Sequence, residues 1–171
     1  MIEIREEKPE DYAQVRMVND QAFGQPQEGL IVDKLREACK EALSLVAVAG
    51  NRIVGHIFFS PTTIDTEGGI VGGMGLAPMA VLPDFQNQGV GSKLVKEGIR
   101  RIKQTHCPFI IVLGHEEYYP RFGFEKASKF GLRCQWEGVP NGAFMAMVLD
   151  ERAMKDVAGI ARYRDEFDEA M

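Results

Sequence analysis

The chain has 171 residues, 45% hydrophobic and 26% charged, with a formal net charge of -5. That is the size and composition of one ordinary globular domain, not of a disordered, collagen-like or coiled-coil chain. The charge argues against a general nucleic-acid binder, which needs a basic footprint. No apolar run reaches the ~18 residues of a membrane span, and the start MIEIREEKPED carries charge where a signal peptide would be apolar. Cys39, Cys107 and Cys134 are scattered and lack metal spacing. Reduced thiols in a cytoplasmic protein are therefore expected, with no metal, membrane or nucleic-acid partner.

Ile2 and Ile4 alternate with charge and predict a strand over 2–5. Lys8-Pro9-Glu10-Asp11 reads as a helix start, with proline and acids in the first turn. Val15, Val18 and Ala22 continue that helix until Gly24 and Pro26 break it. Ile31, Leu35, Ala38 and Ala42 form the apolar face of a second. Ser44–Ala49 and Ile53–Ser60 read as a hairpin around Gly50-Asn51-Arg52, with Pro61 as its end. Glycines at 68, 69, 72, 73 and 75 suggest a turn and a loose strand entry before a strand over Leu76–Leu82. Pro78 inside that strand implies an edge or a bulge.

A helix from about Gln88 follows, with Val90, Leu94, Val95, Ile99 and Ile102 on its apolar face. Phe109–Leu113 has the pattern of a strand buried on both faces. A short helix over 116–121, strands over Phe130–Trp136 and Ala143–Leu149, and a possible strand over Ala158–Tyr163 complete the order. Residues 165–171 read as a frayed tail. The fold class is α/β, an α+β arrangement on a mixed sheet, in the order β-α-α-β-β-β-α-β-α-β-β. Residues 1–150 form the expected domain and 151–171 a C-terminal extension.

Val81–Ser92 carries the chemistry. A strand ends at a proline, a short loop follows, and a helix opens on Gln-x-x-Gly-x-Gly. The first turn of a helix leaves backbone N–H groups unpaired and partly positive. Glycines there admit a ligand close to the backbone, so the segment is an anion cradle suited to a pyrophosphate. It lacks the Gly-Lys-Ser/Thr of a P-loop, and Leu94 stands where a Rossmann fingerprint has its third glycine.

Gln86-x-x-Gly89-x-Gly91, followed by an amphipathic helix, an apolar strand and Tyr119-Pro-Arg-Phe-Gly-Phe124, resembles the GNAT N-acetyltransferase superfamily. The element order is similar over residues 2–149. Gly55–Pro61 and Leu113–Phe124 further resemble its YhbS-like bacterial subgroup. The resemblance implies an acetyl-CoA-dependent N-acetyltransferase that passes the acetyl group directly to an amine, with acetyl-CoA as cosubstrate. The backbone N–H groups of Gln88, Gly89, Val90, Gly91 and Ser92, with the Ser92 hydroxyl as an extra donor, would hold the pyrophosphate, and Gln86 would belong to the same cofactor-binding motif. Met79, Ala80 and Val81 would pair with the pantetheine arm, in a splay between the fourth and fifth strands.

An amine must be neutral to attack, the developing oxyanion needs a donor, and the thiolate needs a proton. The Val81 N–H is the expected donor and Tyr119 the expected acid, with Tyr118 its rival. Many relatives carry an Asn seven residues before the tyrosine. Here Val112 stands there, which leaves His115 or the Gly114 backbone as the substitute contact. Glu28, Glu67, Glu116 and Glu117 are candidate bases. His56 reads as a core or groove histidine. Lys93 and Lys96 are candidates for the phosphates, although the basic residues of 93–103 read mainly as a solvated face. The Phe23–Gly29 loop and the 133–142 hairpin are expected beside the acceptor, a small-molecule or peptide amine. The alternatives are a non-catalytic acyl-CoA-binding or sensing module on the same fold, and an interaction domain with a purely structural glycine loop.

Overall fold

The computed structural model describes residues 1–170. They cluster into two compact units, 1–60 with 77–101 and the residues from 165 onward, and 61–76 with 102–164. The first holds β1 (Ile2–Glu6), α1 (Tyr12–Phe23), α2 (Gln27–Ala38) and β2 (Leu43–Ala49). It also holds the first part of β3 (Arg52–Thr66), the end of β4 (Gly69–Val81) and most of α3 (Val90–Lys103). The second holds the remainder of β3 and β4, with β5 (Phe109–Leu113), β6 (Glu125–Lys126) and β7 (Leu132–Cys134). β8 (Phe144–Val148), α4 (Glu151–Met154) and β9 (Gly159–Arg162) complete it.

In the first unit β1 pairs antiparallel with β2, from Ile2↔Ala49 to Glu6↔Leu45. β2 pairs antiparallel with β3, from Leu43↔Phe59 to Ala49↔Arg52. Val15 and Val18 of α1, Ile31 and Leu35 of α2, and Leu94 and Val95 of α3 are buried with these strands. In the second unit β4 runs parallel to β5 over Met74↔Ile110, Gly75↔Ile111 and Leu76↔Val112. β5 and β6 both pair antiparallel with β8. β9 pairs antiparallel with β3 and parallel with β7. The fold is therefore mixed α/β on mixed strand pairing, as the element pattern predicts.

Several boundaries differ from expectation. Pro61 does not end β3. It falls between two pairing partners on one side of the strand, β2 up to Phe59 and β9 from Thr63, so it interrupts neither of those two ladders. The glycines from 69 to 75 lie inside β4. A Cβ on Gly73 would sit 2.4 Å from the Phe109 ring, and one on Gly75 would sit 2.6 Å from the Tyr163 ring. These glycines are strand positions emptied for aromatic neighbours. Helix α3 starts at Val90 rather than Gln88, because Asn87 (φ 61°) and Gly89 (φ 84°) are left-handed. Helix α2 ends at Ala38, since Cys39 turns extended at φ -137°.

In place of a helix over 116–121 there is one 3-10 turn, Tyr119–Phe122, stopped by Gly123 at φ 104°. In place of a strand from Phe130 there is a 3-10 turn, Ala127–Phe130, with Gly131 left-handed before β7. The segment 165–170 is a 3-10 helix with Phe167 buried, not a frayed tail. Phe167 gives this polar segment an apolar anchor. Met171 lies outside the described residues.

One buried polar strut ties α1 to β2 and β3. Asn19 Nδ2 donates to the Val15 carbonyl at 3.0 Å and meets His56 Nδ1 at 3.1 Å. Nδ1 is therefore the acceptor, which leaves the Nε2–H to donate to Ser44 Oγ at 2.9 Å. Burial, reinforced by the Arg36 charge, pushes the His56 pKa down to about 3. Its unfolded value is near 6.5, so the unfolded chain binds the extra proton between those values. Stability is thus present above pH 6.5 and is lost as pH falls below it, by about 2 kcal/mol at pH 5. Urea denaturation at pH 7 and pH 5 tests this. His56→Gln is less stable at pH 7, and its further loss on acidification is smaller than the wild type's. Equal losses would show that His56 does not titrate on unfolding.

Candidate active site

The cradle is built on the first unit. β4 ends at Val81, a 3-10 turn spans Pro83–Phe85, and the chain turns through Gln86–Gly89 into α3. Three contacts hold it from behind. The Leu82 N–H donates to the Val54 carbonyl at 2.8 Å, tying the end of β4 to β3. Gln86 Nε2 donates to the Val81 carbonyl at 2.9 Å, closing the loop onto the strand it left. Gln88 Nε2 donates to the Asp84 carbonyl at 3.0 Å. Val90 and Leu94 pack over Gly55 so closely that a Cβ there would lie 3.0 Å from Val90 and 3.1 Å from Leu94.

The front of the cradle is open. Gln86, Asn87, Gln88 and Gly89 are exposed, and a Cβ on Gly89 would meet no atom within 4 Å. The Lys93 N–H bonds the Gly89 carbonyl at 3.1 Å, opening the helical ladder. The N–H groups of Val90, Gly91 and Ser92 precede that bond at the positive end of the helix. This arrangement suits a pyrophosphate, with Gly89 clearing the approach. Gln86 and Gln88 spend their side-chain amides on the loop itself. Arg100 and Arg101 pair with Glu97 within the helix at 2.7 Å, as a solvated face does. Lys93 and Lys96 are exposed.

Tyr119 lies in the second unit and is buried. Its ring meets the Phe124 ring edge-on at 5.8 Å and the Tyr118 ring at 5.1 Å. A Cβ on Gly114 would sit 2.4 Å from the Tyr119 ring, so that glycine is the floor of the ring's slot. Burial raises the Tyr119 pKa, and Tyr118 adds to the shift. The phenol keeps its proton through alkaline pH and is fitted to donate a hydrogen bond. Tyr118 is half-buried, with the Arg121 guanidinium 4.4 Å above its ring. Val112 is wholly buried in β5.

Among the candidate bases, His56 is committed to Asn19 and Ser44 and stays neutral, so it is a strut. Both oxygens of Glu28 accept from Gln25 Nε2, at 2.9 and 3.0 Å. The Glu116 carboxylate covers Gly142, where a Cβ would be 2.0 Å from its Oε2, so the 113–118 and 138–142 segments meet in the second unit. Glu67 and Glu117 are exposed.

Sequence reasoning missed Tyr163. Its hydroxyl donates to the Leu76 carbonyl at 3.1 Å, with the Ile111 carbonyl also in reach at 3.4 Å. The available signal was an aromatic residue closing the apolar run 158–163. No helix among the described residues is long and apolar enough to cross a membrane.

Residues 3–127 match the Acetyltransferase (GNAT) domain family. The chain is 33% identical over 165 residues to the uncharacterized N-acetyltransferase YhbS of Escherichia coli K12, covering 96% of this chain and 97% of that protein. The crystal structure of Escherichia coli YhbS in complex with CoA superposes with a TM-score of 0.88 at 32% identity, over 98% of this chain and 92% of that one. A GNAT family acetyltransferase from Brucella melitensis, in complex with acetyl-CoA, matches at a TM-score of 0.81 and 34% identity, over 98% and 99%. With the cradle at the head of α3, these likenesses show that the chain belongs to the GNAT acetyltransferase family.

Proposed function

We propose that this GNAT acyltransferase takes its acetyl group from acetyl-CoA and passes it directly to an amine. The observation that carries the proposal is the cradle, braced by Gln86 and Gly55 and open at Gly89. The N–H groups of Val90, Gly91 and Ser92 would hold the pyrophosphate, with Gly89 leaving room for it. Gln86 and Gln88 would act by bracing the loop. Met79, Ala80 and Val81 would present backbone to the pantetheine arm, and the Val81 N–H would receive charge developing on the acyl oxygen. Acetyl-CoA supplies a thioester already activated toward an amine.

Tyr119 would donate to the departing sulfur. A free phenol is already a weaker acid than a thiol by ~1.5 pKa units, about 2 kcal/mol, and burial widens the gap. Tyr119 therefore stabilises the thiolate by hydrogen bonding without surrendering its proton. The amine must lose a proton to a carboxylate or a water, and Glu28, Glu67, Glu116 and Glu117 are the carboxylate candidates. The Phe23–Gly29 loop and the 133–142 segment are the candidate acceptor contacts. The net charge of -5 favours a cationic amine. On this proposal residues 1–150 are the catalytic domain, 151–171 an extension, and the enzyme works in the cytoplasm without nucleic acid.

The double variant Gly89→Asp, Gly91→Asp places two carboxylates where the pyrophosphate would bind, one of them at a left-handed φ. Calorimetry should show acetyl-CoA affinity falling at least 100-fold, and unchanged affinity would remove the cradle from the site.

Tyr119→Phe should lower acetyl transfer roughly tenfold to a hundredfold and leave acetyl-CoA affinity within about twofold. Undiminished turnover would take Tyr119 out of the mechanism.

The raised pKa also fixes the sign of a pH effect. Because Tyr119 stays protonated above the usual phenol pKa near 10, an alkaline loss of turnover would not come from its ionisation. Ultraviolet titration of wild type and Tyr119→Phe should show the same number of phenols ionising up to pH 11. One fewer in the variant would contradict the assignment.

A further inference from the structure

Tyr163 follows β9, in the C-terminal segment, and its buried phenol is near enough to Tyr119 for the two to interact electrostatically. Its ring occupies a built slot in the second unit. A Cβ on Gly75 would lie 2.6 Å from the ring, and Thr62 Cγ2 borders the same space. Trp136 stacks on the ring with centroids 5.7 Å apart and planes 19° apart. The backbone N–H of Tyr163 donates to Gln135 Oε1 at 2.5 Å. The side chain is buried and its hydroxyl reaches one carbonyl on each of two neighbouring strands, Leu76 on β4 and Ile111 on β5. Those strands pair in parallel up to Leu76↔Val112. The phenol thus sits at the last recorded rung of this ladder.

Packing alone explains an aromatic ring here, but not a hydroxyl. A phenol is costly to bury unless its O–H is satisfied, and a phenylalanine would fill the slot without that cost. The single O–H is donated to the Leu76 carbonyl, with the Ile111 carbonyl on the neighbouring strand 3.4 Å from the same oxygen, so one polar group meets both strands.

We propose that Tyr163 is a positioning residue for the acyl-pantetheine arm: it fixes the end of the β4–β5 ladder at Leu76, from which β4 runs on to the Met79–Val81 backbone. The inference rests on the acetyl-CoA assignment above and extends the site to the C-terminal segment. In this role Tyr163 acts through the strand backbone, by its bond to the Leu76 carbonyl.

The test separates the arm from the nucleotide. Wild type and Tyr163→Phe are titrated calorimetrically with acetyl-CoA and with adenosine 3′-phosphate 5′-diphosphate, which keeps the pyrophosphate and lacks the arm. Thermal melts establish that both proteins are folded at the assay temperature. Tyr163→Phe should bind acetyl-CoA at least fivefold more weakly and the nucleotide within twofold of wild type. Unchanged acetyl-CoA affinity would overturn the proposal. An equal loss for both ligands would also overturn it, since that marks a general structural role. A wild type that binds neither ligand would overturn the acetyl-CoA assignment and this inference with it. As a second variant, Trp136→Leu removes the stacking partner and keeps the hydroxyl. It should retain acetyl-CoA affinity within twofold, and a loss matching that of Tyr163→Phe would assign the effect to packing.

Discussion

An anion-binding helix end must be packed on one side and bare on the other. The head of α3 meets both demands with very few residues. Val90 and Leu94 press onto Gly55 from behind, where an added Cβ would lie 3.0 and 3.1 Å from their side chains and force them to give by a few tenths of an ångström. The Val54 carbonyl, beside that glycine, accepts from Leu82 and fixes the end of β4. Gln86 then bonds back to Val81 and closes the loop. The backbone amides are thereby held in place, and a Cβ on the adjoining Gly89 would meet no atom within 4 Å. Preorganised donors of this kind need no rearrangement when a charged ligand arrives.

The second unit uses the same device for aromatic rings. Gly73, Gly75 and Gly114 each leave the space that a ring occupies, from Phe109, Tyr163 and Tyr119 respectively. A ring against bare backbone is fixed in orientation, because rotation would drive its edge into the strand. In the proposed mechanism this would matter for Tyr119, since a hydrogen-bond donor loses strength steeply when misaligned. Burial also keeps its proton in place. The glycines of β4 have a cost, because they weaken a strand that has fewer side chains to pack. The neighbouring strands and the inserted rings offset it.

The parts legible in the sequence are those set by local pattern. The apolar face Val90, Leu94, Val95, Ile99 and Ile102 is buried as its spacing predicts. The run Phe109–Leu113 is a strand whose first four residues are wholly buried. Gln86–Gly91 announced the cradle through a strand, a proline and spaced glycines. What stayed hidden depends on partners far along the chain. The extent of β4 is set by Phe109 and Tyr163, which local propensity does not register. Pro61 lies where β3 changes partners on one side, from β2 to β9. The state of His56 is fixed by Asn19, 37 residues away, and Tyr163 bonds Leu76 across 87 residues. Phe167 looked like part of a polar tail until its burial showed it to be an anchor.

We propose that the head of α3 receives the pyrophosphate of acetyl-CoA in a site that also binds the pantetheine arm. Calorimetric titration of the intact wild-type protein with acetyl-CoA, with ATP as comparator, is the decisive measurement. One acetyl-CoA should bind per chain with micromolar affinity, and ATP, which has phosphates but no arm, should bind far more weakly. Absence of acetyl-CoA binding, or equal binding of ATP, would rule out this site.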